Sequence, residues 1–82
     1  GLMVYVAGEV NEQGAIAWQD GLTVTQALAR AGGTTATAKL RDAYILRNGD
    51  RILVNVKRAI QRADPDLRLE PGDQLFVQES VF

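Results

Sequence analysis

The 82-residue chain contains no cysteine and no histidine. Without cysteine there is no disulfide framework, no thiolate nucleophile and no ligand set for an iron–sulfur cluster. Without histidine the usual neutral-pH general base is missing, together with the commonest zinc ligand. No pair of carboxylates is spaced as an acid–base couple, so the sequence points to binding rather than turnover, with no catalytic residue, no metal ligand and no cofactor expected. No apolar run approaches the length of a membrane span, and no charged-then-apolar signal opens the chain. Gly32-Gly33 resembles neither a phosphate loop nor a dinucleotide fingerprint, because these glycines end a helical pattern instead of opening one. Asp64, Asp66 and Glu70 lack the spacing of a calcium loop, and Pro65 interrupts them.

What is present is an ordinary globular composition, 46% hydrophobic and 23% charged, at a length that suits one domain over residues 1–82. Leu2 to Val10 alternates as a strand, with Leu2, Val4, Val6 and Val10 on one face and Met3, Tyr5 and Glu9 on the other. Gly8 inside that run marks a bulge or a close backbone approach. Asn11 to Gly14 is a turn, and Ala15 to Trp18 returns as a second strand. Thr23 with Gln26 fits a capping box, Val24, Ala27, Leu28 and Ala31 form an apolar stripe, and Gly32-Gly33 stops the helix. After a small-residue loop from Thr34 to Ala38, a third strand runs from Ala43 to Arg47. Asn48-Gly49 is the clearest hairpin turn in the chain and returns Arg51 to Asn55 as a fourth strand.

Val56 to Ala63 reads as a short second helix, with Val56, Ala59, Ile60 and Ala63 facing inward and Lys57, Arg58, Gln61 and Arg62 facing out. Asp64-Pro65 ends it. Leu67 to Leu69 reads as a short extended piece, and Glu70-Pro71-Gly72-Asp73 is a turn feeding a last strand from Gln74 to Val77. The expected core is Val4, Val6, Ile16, Val24, Leu28, Ile45, Leu53, Ile60, Leu75 and Val77. The fold class is α+β: two hairpins around one main helix, a short second helix, and a final strand free to pair mid-sheet, which is the plan of a β-grasp domain. The chain enters a strand pattern at once, at Gly1-Leu2-Met3-Val4, as a domain excised from a longer protein would. Any targeting signal or lipid anchor is then expected outside it.

The net charge of -1 hides an uneven distribution. Residues 39–62 carry seven cations (Lys39, Arg41, Arg47, Arg51, Lys57, Arg58, Arg62) against Asp42 and Asp50. Residues 63–82 carry five acids (Asp64, Asp66, Glu70, Asp73, Glu79) against Arg68. Such polarity suits contact between one copy and the next, although a solvated surface with local ion pairs is the commoner use of such residues. The overall balance argues against a nucleic-acid partner.

The ordered set Val4-Tyr5-Val6-Ala7-Gly8-Glu9-Val10, Gly14, Leu22-Thr23-Val24, Ala31-Gly32-Gly33-Thr34, Ala43-Tyr44-Ile45-Leu46-Arg47 and Leu69-Glu70-Pro71-Gly72-Asp73 resembles the SLBB (soluble-ligand-binding β-grasp) domain. The likeness is greatest to the SLBB domains of bacterial polysaccharide export proteins. One departure is Gln13, where the family usually carries a proline before the turn glycine. The resemblance implies a non-catalytic module that contacts a capsular or exopolysaccharide, neighbouring copies in a ring-like oligomer, and other proteins of the export machinery. It implies a periplasmic, outer-membrane-associated location, with membrane association only through parts outside this chain. The alternative it leaves open is an SLBB packing module of another machine, such as a respiratory complex subunit or a cobalamin carrier. Candidate contact residues are Tyr5 and Trp18, as an aromatic platform for a sugar ring, and the cations Arg47, Lys57, Arg58 and Arg62, for an anionic glycan or an acidic subunit face.

Overall fold

The computed structural model of the chain describes residues 1–81. Strand β1 (Met3–Gly8) pairs antiparallel with β2 (Gly14–Ala17), Val4 lying opposite Ile16. Strand β3 (Ala38–Arg47) forms a second antiparallel hairpin with β4 (Asp50–Val54). Both residues of its two-residue turn, Asn48 and Gly49, sit at positive φ, the backbone that matches the strand twist. The last strand, β5 (Gln74–Glu79), enters between the hairpins, parallel to β1 and antiparallel to β3, and completes a mixed sheet in the order β2-β1-β5-β3-β4. This is the expected β-grasp-like arrangement.

Gly8 is where the two halves meet most closely. Its φ is +86°, and a Cβ built there would lie 2.1 Å from the carbonyl oxygen of Val77. Only glycine lets β1 approach β5 at this point.

Helix α1 (Val24–Arg30) carries the full capping box, with Gln26 N–H donating to Thr23 and the Gln26 side chain receiving the Thr23 N–H. Asp66 adds a second cap by accepting from the Thr25 N–H at 3.1 Å and from its hydroxyl, so an anion already sits at the positive end of the helix. At the other end, Gly33 N–H bonds Leu28 O at 2.9 Å and Gly32 N–H bonds Ala29 O at 3.1 Å, the paired bonds of a Schellman stop. Helix α2 (Val56–Ile60) is capped by Asn55, whose side chain accepts from Arg58 N–H.

The core lies between the helices and one face of the sheet. Val4, Val6, Ala43, Ile45, Val54, Leu75 and Val77 from the strands meet Val24, Ala27, Leu28, Ala31 and Val56 from the helices, with Val10, Leu22 and Leu69 closing the ends. Four expectations need correction. Strand β3 begins five residues earlier than expected, because Ala38 pairs with Glu79 across an irregularity before Ala43. Leu2 lies outside β1 and is exposed. Leu53 is not core but 76% exposed, since the alternation of β4 turns Val54 inward. Helix α2 stops at Ile60, itself 59% exposed. Arg62 follows in the left-handed region at φ +60° while Ala63 N–H bonds Arg58 O, so the polypeptide reverses before it reaches Asp64-Pro65.

Candidate ligand-binding face

Because both helices pack on one side of the sheet, the other side is left open. Strand alternation sends Met3, Tyr5 and Ala7 of β1, Ala15 and Ala17 of β2, Gln74, Phe76 and Gln78 of β5, Tyr44 and Leu46 of β3, and Arg51 and Leu53 of β4 to that outer face. Registry then builds a row across the strands: Ala7 lies beside Phe76, Phe76 beside Tyr44, and Tyr44 beside Leu53. The Tyr44 and Phe76 rings stack with centroids 5.3 Å apart and planes at 29°. The Arg51 guanidinium extends the row, lying 4.2 Å from the centroid of Tyr44. Tyr5 stands one register step away and is 47% exposed. The result is a rigid strip of aromatic and planar groups beside a floor of alanines.

Electrostatically the strip has one sign. Asp42, the carboxylate on this face, is held by Lys39 at 2.9 Å and its carbonyl oxygen by Gln78 Nε2 at 2.8 Å. Among the described residues the Arg51 guanidinium has neither a carboxylate partner nor a hydrogen bond, so its N–H rim remains available.

The residues singled out from sequence are dispersed. Trp18 does not join Tyr5 in a platform. It follows β2 on the helix side, packs against the core and donates its Nε1–H to Leu69 O at 2.8 Å, while Tyr5 projects from the opposite face. Arg47 is committed internally, donating from Nε and Nη2 to the Asp73 carboxylate at 2.9 and 2.7 Å and reaching Glu70 at 2.8 Å. Asp73 is only 1% exposed and also accepts from the Glu70 N–H at 2.7 Å. The hydrogen bond that Arg47 donates to Asp73, aided by the charges of Asp73 and Glu70, raises the pKa of Arg47 against the opposing effect of burial. The guanidinium therefore stays charged, and the clasp fixes the turn that launches β5.

Lys57 and Arg58 are exposed on α2, but Arg58 pairs with Asp64 at 3.1 Å. Arg62 is exposed beyond the helix, not on its polar face. Much of the charge polarity read along the chain is thus neutralised within it, since the basic stretch meets the acidic end of the same molecule through Arg47 and Arg58. Sequence reasoning missed Tyr44, Arg51 and Phe76. The Asn48-Gly49 turn carried a usable signal: a two-residue loop fixes the hairpin register, and that register alone sets Tyr44 diagonal to Arg51 on one face.

The SLBB domain family model matches residues 2–77, nearly the whole described chain. The chain belongs to the SLBB domain family. An SLBB domain is a binding and packing module, and the open aromatic face is a candidate surface for such contact.

Proposed function

We propose that this SLBB domain is the non-catalytic ligand-binding and assembly module of a bacterial capsular or exopolysaccharide export protein. It works in the periplasm, and parts outside this chain bring it to the outer membrane. The observation that carries the reading is the uncovered strip of Tyr44, Phe76 and Tyr5 on rigid strands. The axial C–H faces of sugars are apolar and stack on aromatic rings, while their hydroxyls need planar polar groups such as Gln74 nearby. A shallow, open face of this kind holds a chain weakly and lets it slide, as a conduit requires. Arranged in a ring of copies, many such weak contacts add without any one of them trapping the polymer. Of the cations singled out from the sequence, Lys57 and Arg62 make no ion pair among the described residues and are available for contact with a neighbouring copy or with export-machinery proteins.

The test is in-frame deletion of the segment encoding this domain from the full-length gene, followed by quantification of surface and intracellular polysaccharide. Loss of surface polymer with intracellular accumulation is expected. Normal surface polymer accompanied by a defect in respiration or cobalamin uptake overturns the reading in favour of a packing module in another machine.

A further inference from the structure

The outer face also bears on the charge of the glycan. The geometry points to a subsite for an anionic glycan, in which the Arg51 guanidinium receives a sugar carboxylate while Tyr44, Phe76 and Tyr5 seat the sugar rings. This rests on the export reading for the class of polymer.

Three observations carry it. Arg51 makes no ion pair among the described residues, and the Asp42 carboxylate is already bound by Lys39, so the strip presents an uncompensated positive charge. The guanidinium lies over the Tyr44 ring, 4.2 Å from its centroid, a cation–π contact that restrains the side chain. A stacked arginine has lost much of its rotamer freedom before a ligand arrives, so a bidentate bond to a carboxylate costs it less entropy than it would cost a free side chain. Finally, the strip crosses four strands, from Tyr5 on β1 through Phe76 and Tyr44 to Arg51 on β4. At about 4.8 Å per strand this is roughly 14 Å, room for an oligosaccharide with its charged unit over β4 and its neighbours over β3, β5 and β1.

Aromatic rings on an open sheet also suit single-stranded nucleic acid. That platform, however, needs a basic groove to follow the phosphates. This chain carries a net charge of -1, and the strip offers a single cation, which matches one carboxylate per few sugars rather than one phosphate per nucleotide.

The experiment titrates the isotope-labelled 82-residue chain, followed by amide chemical shifts, with tetragalacturonate, with its methyl ester, and with an oligothymidylate. Tetragalacturonate is expected to shift the amides of Tyr5, Tyr44, Arg51 and Phe76 and to bind more tightly than the ester. Arg51→Gln should weaken tetragalacturonate about tenfold and leave the ester unchanged, with Arg51→Lys in between. A dispersed spectrum from each variant verifies the fold. Equal affinity for acid and ester, unaffected by Arg51→Gln, overturns the anionic assignment and leaves the glycan reading standing. Absence of binding by either saccharide, or shifts confined to the helix side, overturns the site itself, whereas the export reading falls only with the deletion phenotype. Tighter binding of oligothymidylate than of tetragalacturonate overturns the proposal in favour of nucleic acid.

Discussion

Replacing Asp73 with alanine removes the acceptor at the centre of the Arg47 clasp. The carboxylate is 1% exposed and takes three hydrogen bonds, two from Arg47 and one from the Glu70 N–H. Breaking a buried pair by deleting one partner costs about 3–5 kcal/mol, most of it from the charge left behind. Here the cost is discounted, because the Arg47 side chain is 24% exposed and keeps Glu70 as a second partner. The expected loss is about 2–4 kcal/mol, a large share of the total for a domain of this size.

Urea unfolding followed by circular dichroism measures the loss. At a slope of about 1 kcal/mol per molar, a change of that size moves the midpoint by about 2–4 M. Arg47→Met strands the Asp73 carboxylate and should cost at least as much. The double variant should cost clearly less than the sum, with a coupling of about 1–3 kcal/mol. An unfolding free energy that Asp73→Ala leaves within about 0.5 kcal/mol of the parent, or strictly additive effects in the cycle, would refute the view that the clasp holds the turn before β5.

Gly8→Ala drives a methyl group into the Val77 carbonyl at 2.1 Å, so it should cost about 3 kcal/mol or more and broaden the amides of β1 and β5 in the proton–nitrogen spectrum. A parent-like spectrum and midpoint would show that the strands can part there. Arg62→Gly should instead stabilise by about 0.5–1 kcal/mol, since the left-handed φ of +60° costs arginine more than glycine loses in unfolded-state entropy. A lower urea midpoint for Arg62→Gly would count against that backbone.

The parts of the fold that were legible are those decided by neighbours in sequence. The capping box of Thr23 and Gln26, the glycine stop after Ala31 and the Asn48-Gly49 turn each depend on residues within a few positions. Leu53 was not legible, because Ile52-Leu53-Val54 is apolar at every position and alternation cannot say which residue faces out. The end of α2 was misjudged for a related reason. The apolar period runs on to Ala63, but the cap bonds close a turn earlier and spend Arg62 on reversing the chain. Arg47 was read as a free cation because its partner lies 26 residues away, a distance over which local pattern carries no information. The candidate site suffered most from this. Its members come from β1, β3, β4 and β5, and only the order of strands in the sheet brings them together.

The buried core lies on one side of the sheet, and that separation leaves the outer face open. The helix side holds the buried core, and the clasp secures the entry to β5, so the domain does not depend on Tyr5, Arg51 or Leu53 for its fold. Exposed strand positions of this kind change at a cost of about 0.5 kcal/mol or less, so substitutions on the outer strip should leave the scaffold intact. The clasp nevertheless reaches the strip indirectly. Asp73 is bonded to Arg47 at the end of β3 and, through its own carbonyl oxygen, to the N–H of Tyr5 at 2.9 Å. It therefore ties β1, β3 and the start of β5 together at the point where their outward side chains must align. A loosened clasp would let β5 shift between its neighbours, and because Leu75 and Val77 flank Phe76 the core would lose its register together with the outer strip.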